Sequence, residues 1–190
     1  MKKTTLAYTI CGSFCTISSS IQKMEELKND GYEIIPIMSY NAYNWDTKFG
    51  KAKDFREKIE SICEKKIMHT VPDAEPIGPK KMADIMIIAP CTGNTLAKLS
   101  NGITDTPALM AAKSHLRINR PLVIALATND ALGASAQNLG KILNTKNIYM
   151  VPLKQDSPDL KPHSMVSNFD LIPKTIKLAM KGVQIQPCFI

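Results

Sequence analysis

The sequence of 190 residues is poor in the features that mark metal-binding, disulfide-rich and membrane-spanning proteins. Its three histidines lie far apart without metal-ligand spacing, and its five cysteines form no CxxC pair. No apolar run approaches the roughly 20 residues that cross a bilayer. We therefore expect no metal site, no disulfide framework and no membrane span, in a protein of the reducing cytoplasm.

Charge is also too scattered to indicate nucleic-acid binding. The chain carries 24 Lys and Arg against 17 Asp and Glu, and most of the excess falls in residues 96–190. No basic run is interleaved with aromatic residues, so we expect no nucleic acid as partner. The mild excess of positive charge favours an anionic small molecule or an acidic protein as the partner, rather than a nucleic acid. Lys113, Arg117 and Arg120 are one candidate for binding a dianion, and a solvated helix face is the alternative.

Apolar segments alternate between strand and helix patterns along the whole chain. We predict strands at 5–10, 33–38, 83–90, 121–127 and 147–152. Helical periodicity lies between them. This alternation is typical of an α/β fold, here three layers with a doubly wound, mostly parallel sheet and helices on both faces. We expect a single domain over residues 1–190, with a polar loop at 153–167 and a C-terminal helix and tail at 168–190.

Ligands of such sheets bind where the carboxyl ends of strands lead into helices. Four such loops are rich in glycine, hydroxyl and amide residues and should share one crevice: 11–16, 39–50, 90–95 and 127–133. Gly12 and Ser13 precede the first helix and are candidates for holding a phosphate, with Ser39 as a second hydroxyl. An ordinary strand–helix turn is the alternative. Neither GxGxxG nor GxxxxGK[ST] occurs, so a mononucleotide is favoured over a dinucleotide.

The segment APCTGNTLAKLSNGITDTPAL (89–109) carries a more specific signature. It resembles the flavoprotein family of homo-oligomeric FMN-binding proteins, which includes phosphopantothenoylcysteine decarboxylases, lantibiotic cysteine decarboxylases and flavin prenyltransferases. The positions that match the pattern AP-x-x-x-NT-x-A-K-x-x-x-G-x-x-D are Ala89, Pro90, Asn94, Thr95, Ala97, Lys98, Gly102 and Asp105. The resemblance implies a Rossmann-like flavoprotein fold, a trimer or a multiple of trimers, and FMN. The implied cofactor-binding residues are Gly12, Ser13, Phe14, Ser39, Thr92, Gly93, Asn94 and Thr95.

Within that family, the stretches 73–95 and 127–158 resemble the subfamily of dipicolinate synthase B subunits. This resemblance implies the oxidation of dihydrodipicolinate, a small dicarboxylate, to pyridine-2,6-dicarboxylate in the mother cell of a sporulating bacterium. It also implies a separate A subunit as partner, on which NAD(P) is expected.

The chain departs from the decarboxylase pattern at three places. Pro76 stands where those enzymes carry a catalytic His, and the segment 153–167 contains no Cys. The motif P-x-M-N is reduced to Leu-Ala-Thr-Asn, which leaves Asn129 as the catalytic candidate; it would bind a substrate carboxylate, or else serve as a turn residue. An FMN-dependent decarboxylase or a flavin prenyltransferase-like enzyme stays as an alternative, and so does a non-catalytic module that stabilises the A subunit. No general base is assigned.

Overall fold

The computed structural model describes residues 3–190, which form a seven-stranded sheet with helices on both faces. The strands are β1 (Thr5–Ile10), β2 (Glu33–Met38), β3 (Ile85–Cys91), β4 (Leu122–Thr128), β5 (Ile148–Met150), β6 (Leu153–Lys154) and β7 (Met165–Ser167). The helices are α1 (Phe14–Asn29), α2 (Tyr40–Asn44), α3 (Ala52–Cys63), α4 (Val71–Ala74), α5 (Gly93–Ser100), α6 (Pro107–Arg117), α7 (Ala136–Leu143) and α8 (Ile172–Ala179). No helix in residues 3–190 is long and apolar enough to cross a membrane.

The strand order is β2-β1-β3-β4-β7-β6, and the pairs from β2 to β4 are parallel. The outer edge of β4 is divided between two partners. Its first half pairs in parallel with β5, whereas Ala127 and Thr128 pair antiparallel with Val166 and Met165 of β7. The sheet is therefore mostly parallel, as predicted, with an antiparallel extension at one edge.

Both faces of the sheet are covered, which explains why the central strands are apolar along their whole length. On one face α1, α3 and α8 pack on alternate strand residues such as Leu6 and Ile87. On the other face α5, α6 and α7 pack on the intervening residues, such as Ala7 and Ile88. The predicted α/β fold class, with three layers and a doubly wound sheet, is confirmed.

Two segments differ from the prediction. The polar loop expected at 153–167 contains the short strands β6 and β7, which pair with each other and with β4. The loop expected at 39–50 begins with helix α2, because the Oγ of Ser39 accepts a hydrogen bond from the backbone N–H of Ala42 at 3.4 Å and so caps the first turn. All three elements have five residues or fewer, too few to give a periodic signal.

Candidate functional site

Two adjoining cavities lie at the carboxyl ends of the central strands. The smaller one, here the Ser39 pocket, has a volume of about 430 Å³ and is lined by Ser39, Asn94 and Thr95. The larger one, here the Asn129 cavity, has about 610 Å³ and contains Asn129. Gly12 and Thr92 line both. The four loops predicted to share one crevice all contribute to these cavities.

The structure brings every residue of the predicted site to one of the two cavities. In addition to those already named, Ser13, Phe14 and Gly93 line the Asn129 cavity. Their position at the cavities does not establish what they do. Catalysis by Asn129 and FMN binding by the other residues stay predictions.

The N-terminus of α1 is open toward the crevice. Ser13 is the residue before the helix, yet its side chain makes no capping hydrogen bond. Its Oγ instead accepts a hydrogen bond from the Oγ1 of Thr16 at 3.1 Å. The first N–H groups of an α-helix have no partner within the helix, and they carry the positive end of its dipole. An anion at this end would therefore meet backbone donors and the remaining hydroxyl proton of Ser13.

Gly93, Asn94 and Thr95 form the first turn of helix α5. The Oγ1 of Thr92 accepts the N–H of Thr95 at 3.1 Å and donates to the Oγ1 of Thr95 at 3.0 Å. The hydroxyl proton of Thr95 is thereby left for another acceptor. Ser39, whose Oγ accepts from the backbone of α2, likewise keeps its proton as a donor.

Gly93 is required by a close approach between α5 and the end of β4. A Cβ atom at this position would lie 2.6 Å from the Oγ1 of Thr128 and 3.2 Å from a carboxylate oxygen of Asp130. Gly12 is under no such demand, because a Cβ atom there would meet nothing nearer than 3.5 Å. The two glycines thus differ. The packing of α5 against the end of β4 requires Gly93, whereas the space around Gly12 could hold a Cβ atom.

Two carboxylates line the crevice, although the sequence alone assigns no general base. Asp130 and Asp156 are both part of the Asn129 cavity. The two carboxylate oxygens of Asp130 accept hydrogen bonds from the Oγ1 of Thr128 at 2.9 Å and the Oγ of Ser135 at 3.1 Å. Asp130 follows the predicted catalytic candidate directly in sequence, and that adjacency was the available signal. Asp156 had none, because its position depends on how residues 155–164 fold.

Residues 155–164, here called the strap, fold back over the end of β4. The Oγ of Ser164 is buried and donates to the carbonyl of Thr128 at 3.2 Å, and it lies 3.4 Å from the Oδ1 of Asn129. The backbone N–H of Leu132 donates to the carbonyl of His163 at 3.0 Å. The strap therefore forms one wall of the Asn129 cavity and fixes the loop that carries the catalytic candidate.

Two buried cysteines lie beneath the crevice. Burial raises the pKa of the Cys11 thiol to about 11 and holds that of Cys91 well above its ordinary value. Thiolates are the reactive form, so both groups are inert at neutral pH. Cys91 is therefore a small buried residue rather than a reactive thiol.

The remaining candidates lie outside both cavities. His69 stacks on Tyr43, with ring centroids 4.0 Å apart, in a separate pocket of about 740 Å³. Lys113 is exposed on α6, and Arg120 donates to the backbone carbonyls of Lys81 and Ala83. His115 is fully buried. Within residues 3–190, no group of three His, Cys, Asp or Glu side chains could hold a metal ion.

The chain is similar in sequence and in structure to known B subunits of dipicolinate synthase. Over its full length the chain is 42% identical to the B subunit of dipicolinate synthase of Bacillus subtilis (strain 168), 95% of which is covered. The crystal structure of the dipicolinate synthase B subunit from Bacillus halodurans C is similar with a TM-score of 0.91 and 40% identity, over 98% of this chain and 96% of that one. These matches confirm the predicted resemblance to the B-subunit subfamily.

A more distant structure, that of the FMN-dependent cysteine decarboxylase SpaF, has a TM-score of 0.71 at 22% identity, over 94% of this chain and 95% of that one, and supports the fold alone. The family model described as Flavoprotein matches residues 1–178. Since this match spans nearly the whole chain, the chain belongs to the Flavoprotein family.

Proposed function

We propose that this chain is the B subunit of a two-subunit dipicolinate synthase. It would act with a separate A subunit to oxidise dihydrodipicolinate to pyridine-2,6-dicarboxylate, in the mother-cell cytoplasm of a sporulating bacterium. The observation that carries the proposal is the 42% identity over the full chain to a protein of that name. The crevice at the carboxyl ends of the strands supports a ligand-binding role for this chain.

We infer that the crevice binds FMN. The Ser39 pocket offers hydroxyl protons of Ser39 and Thr95 and the first turn of α5, and Ser13 adds the open end of α1. Such neutral donors at helix N-termini are the usual partners of a phosphate. Lys98, the lysine of this pocket, pairs with Asp105 at 2.5 Å. Both cavities lie within the range of about 300–1,000 Å³ typical of ligand sites.

The flavin, when bound, supplies a redox group that accepts or donates hydride equivalents. The chain itself would hold the phosphate at the Ser39 pocket and shape the Asn129 cavity around the reacting ring. The side-chain amide of Asn129 would hydrogen-bond a substrate carboxylate. Formation of the pyridine removes two hydrogens, so the reaction needs a final acceptor for them. Because this chain lacks a dinucleotide signature, we assign that acceptor, NAD(P), to the A subunit.

We further propose that the chain forms homo-oligomers, as trimers or a multiple of trimers. The side chains of Tyr40, Trp45 and Phe49 are between 40% and 55% exposed although all belong to one short segment. Tyr and Trp are enriched at protein interfaces. A structurally similar protein is described as a dodecameric FMN-dependent UbiX-like decarboxylase.

An FMN-dependent decarboxylase or prenyltransferase-like activity is the second candidate, because enzymes described in this way, such as SpaF, share the fold. Two observations count against it. Pro76 occupies the position of the decarboxylase His, and no histidine lines either cavity. The segment 153–167 also lacks the cysteine of the decarboxylase substrate loop. A non-catalytic module that stabilises the A subunit is the third candidate.

Two measurements separate these functions. Absorption spectra of the purified chain, alone and after addition of FMN, test flavin binding; a spectrum identical to free FMN would contradict the flavin site. Turnover of dihydrodipicolinate with NAD(P), measured with and without the A subunit, tests the two-subunit assignment. We expect little or no dipicolinate from the isolated chain and full activity from the pair. Robust turnover by this chain alone would contradict the assignment.

A further inference from the structure

Two lysines line the Asn129 cavity, and sequence patterns pointed to neither. Lys48 comes from the segment that follows α2, beside the β2 end of the sheet. Lys161 comes from the strap, next to β7. Because β2 and β7 are separated by β1, β3 and β4 in the strand order, the two lysines reach the cavity from segments next to well-separated strands.

Both ammonium groups are available to a ligand. Within residues 3–190, no carboxylate oxygen lies within 4.0 Å of the Nζ of Lys48, which lies 5.2 Å from the ring centroid of Phe49. Lys161 pairs with Asp156 at 3.3 Å, but the two side chains are 53% and 31% exposed. Exposed ion pairs contribute about 0–1 kcal/mol, so a ligand carboxylate can replace this one.

The rest of the cavity suits a ring that carries acidic groups. Phe14, Phe49, Met165 and Val166 supply apolar surface. Asp130, the other carboxylate, accepts a hydroxyl hydrogen bond on each oxygen and pairs with neither lysine. An apolar lining to which two separate segments each contribute a lysine is complementary to a ring that carries two carboxylates.

We propose that Lys48 and Lys161 bind the two carboxylates of a six-membered ring dianion, the dihydropyridine substrate and its aromatic product alike, and so determine the substrate specificity of the Asn129 cavity. This inference rests on the proposed function and names the residues that select its dicarboxylate. Each lysine would form a charge-assisted hydrogen bond with one carboxylate. Asp156 opposes this binding, because its charge competes with the ligand for Lys161.

The test is calorimetric binding of pyridine-2,6-dicarboxylate to the FMN-saturated chain in metal-free buffer, with pyridine-2-carboxylate as the singly charged comparison. Hydrogen bonds to charged groups contribute about 1.5–3 kcal/mol. We therefore expect Lys48→Ala and Lys161→Ala each to weaken dicarboxylate binding roughly 10- to 100-fold. Each variant should also lose the preference for the dicarboxylate over the monocarboxylate. Asp156→Asn should tighten dicarboxylate binding.

Lys113→Ala is the matched control, since Lys113 is exposed on α6 away from the cavity, and it should bind like the unaltered chain. Equal affinity of the two lysine variants and the unaltered chain would overturn the proposal, as would no binding by the unaltered chain at millimolar ligand. Neither result bears on the proposed function, which is tested separately by the turnover of dihydrodipicolinate with and without the A subunit. The opposite result is also informative. If the pair of subunits shows no turnover but the two lysine variants lose dicarboxylate binding, the dianion site is retained and the proposed reaction is rejected.

Discussion

Gly93 lies so close to Thr128 that a Cβ atom at position 93 would stand 2.6 Å from the Oγ1 of Thr128. This approach joins the first turn of α5 to the end of β4. It also sets the distance between the two loops that form the floor of the Asn129 cavity. The packing of the sheet against α5 and the shape of the crevice therefore depend on the same contact.

Gly93→Ala should both destabilise the protein and weaken flavin binding. The added methyl group must push α5 away from Thr128, and overpacking of this kind costs about 1–3 kcal/mol. We expect a lower melting temperature and a weaker FMN complex, measured by thermal unfolding and fluorescence titration. Gly140→Ala is the control, because a Cβ atom there meets nothing within 4 Å and the site is helical and exposed. It should be neutral or stabilising by up to about 1 kcal/mol. Identical effects of the two substitutions would rule out the contact as the cause.

Ser13→Asp should weaken FMN binding by at least about a hundredfold. The new carboxylate would repel a phosphate dianion at the open end of α1, and a hydrogen bond to a charged group, worth about 1.5–3 kcal/mol, would be lost. The fold should survive, because Asp is a favourable residue before a helix. Ser19→Asp, on an exposed position of the same helix, should bind FMN normally. Unchanged calorimetric affinity in Ser13→Asp would show that the phosphate is held elsewhere.

His115 should make the protein less stable in mild acid. Burial lowers the pKa of His115 from 6.5 to about 4, and its Nδ1 has no hydrogen-bond partner within residues 3–190. Above pH 6.5 the side chain is neutral in both the folded and unfolded states. As the pH falls toward 4, the unfolded chain takes up a proton that the folded protein does not. The free energy of unfolding should therefore decrease by up to about 3 kcal/mol over this range.

Urea unfolding of His115→Gln at pH 4.5 and pH 7 checks this origin. The variant should lose most of the pH dependence between these values, whatever its absolute stability. His163→Gln, at an exposed histidine, should keep it. A pH dependence that is equal in all three proteins would assign the effect to other groups.

Trp45→Ser should reduce self-association, because the Trp45 side chain is 55% exposed beside Tyr40 and Phe49. We expect light scattering at micromolar concentration to show oligomers for the unaltered chain and smaller species for the variant, with the same circular dichroism. Leu160→Ser is the control, since Leu160 is 85% exposed but has no aromatic neighbours in its segment. A strictly monomeric unaltered chain would contradict the proposed assembly.

Long elements with regular patterns were predictable, and short ones joined over long distances were not. The strand at 33–38 was predicted with the bounds that the structure shows, because buried parallel strands are continuously apolar. β6 and β7 are two and three residues long and depend on pairing across the strap. Such pairing has no local sequence signal.

The candidate site likewise contains some residues that could be predicted from the sequence and others that could not. Gly12, Ser39 and Asn94 lie within four residues of the ends of predicted strands, so the topology alone brings them to one edge of the sheet. Lys161 and Asp156 reach the Asn129 cavity through the fold of the strap, which rests on single contacts such as that of Ser164 with Thr128. Contacts of this type depend on the three-dimensional course of a loop, and no periodicity predicts them.

The division of the outer edge of β4 has a consequence for hydrogen exchange. β7 joins β4 through only two residue pairs, whereas β1 pairs with β2 along six. Local opening follows the number of backbone hydrogen bonds and buried contacts that must break. The wall formed by the strap and β7 should therefore detach while the central sheet stays intact, and its amide protons should exchange with deuterium well before those of β1 and β3. Ligands could then enter and leave the crevice through this side without global unfolding.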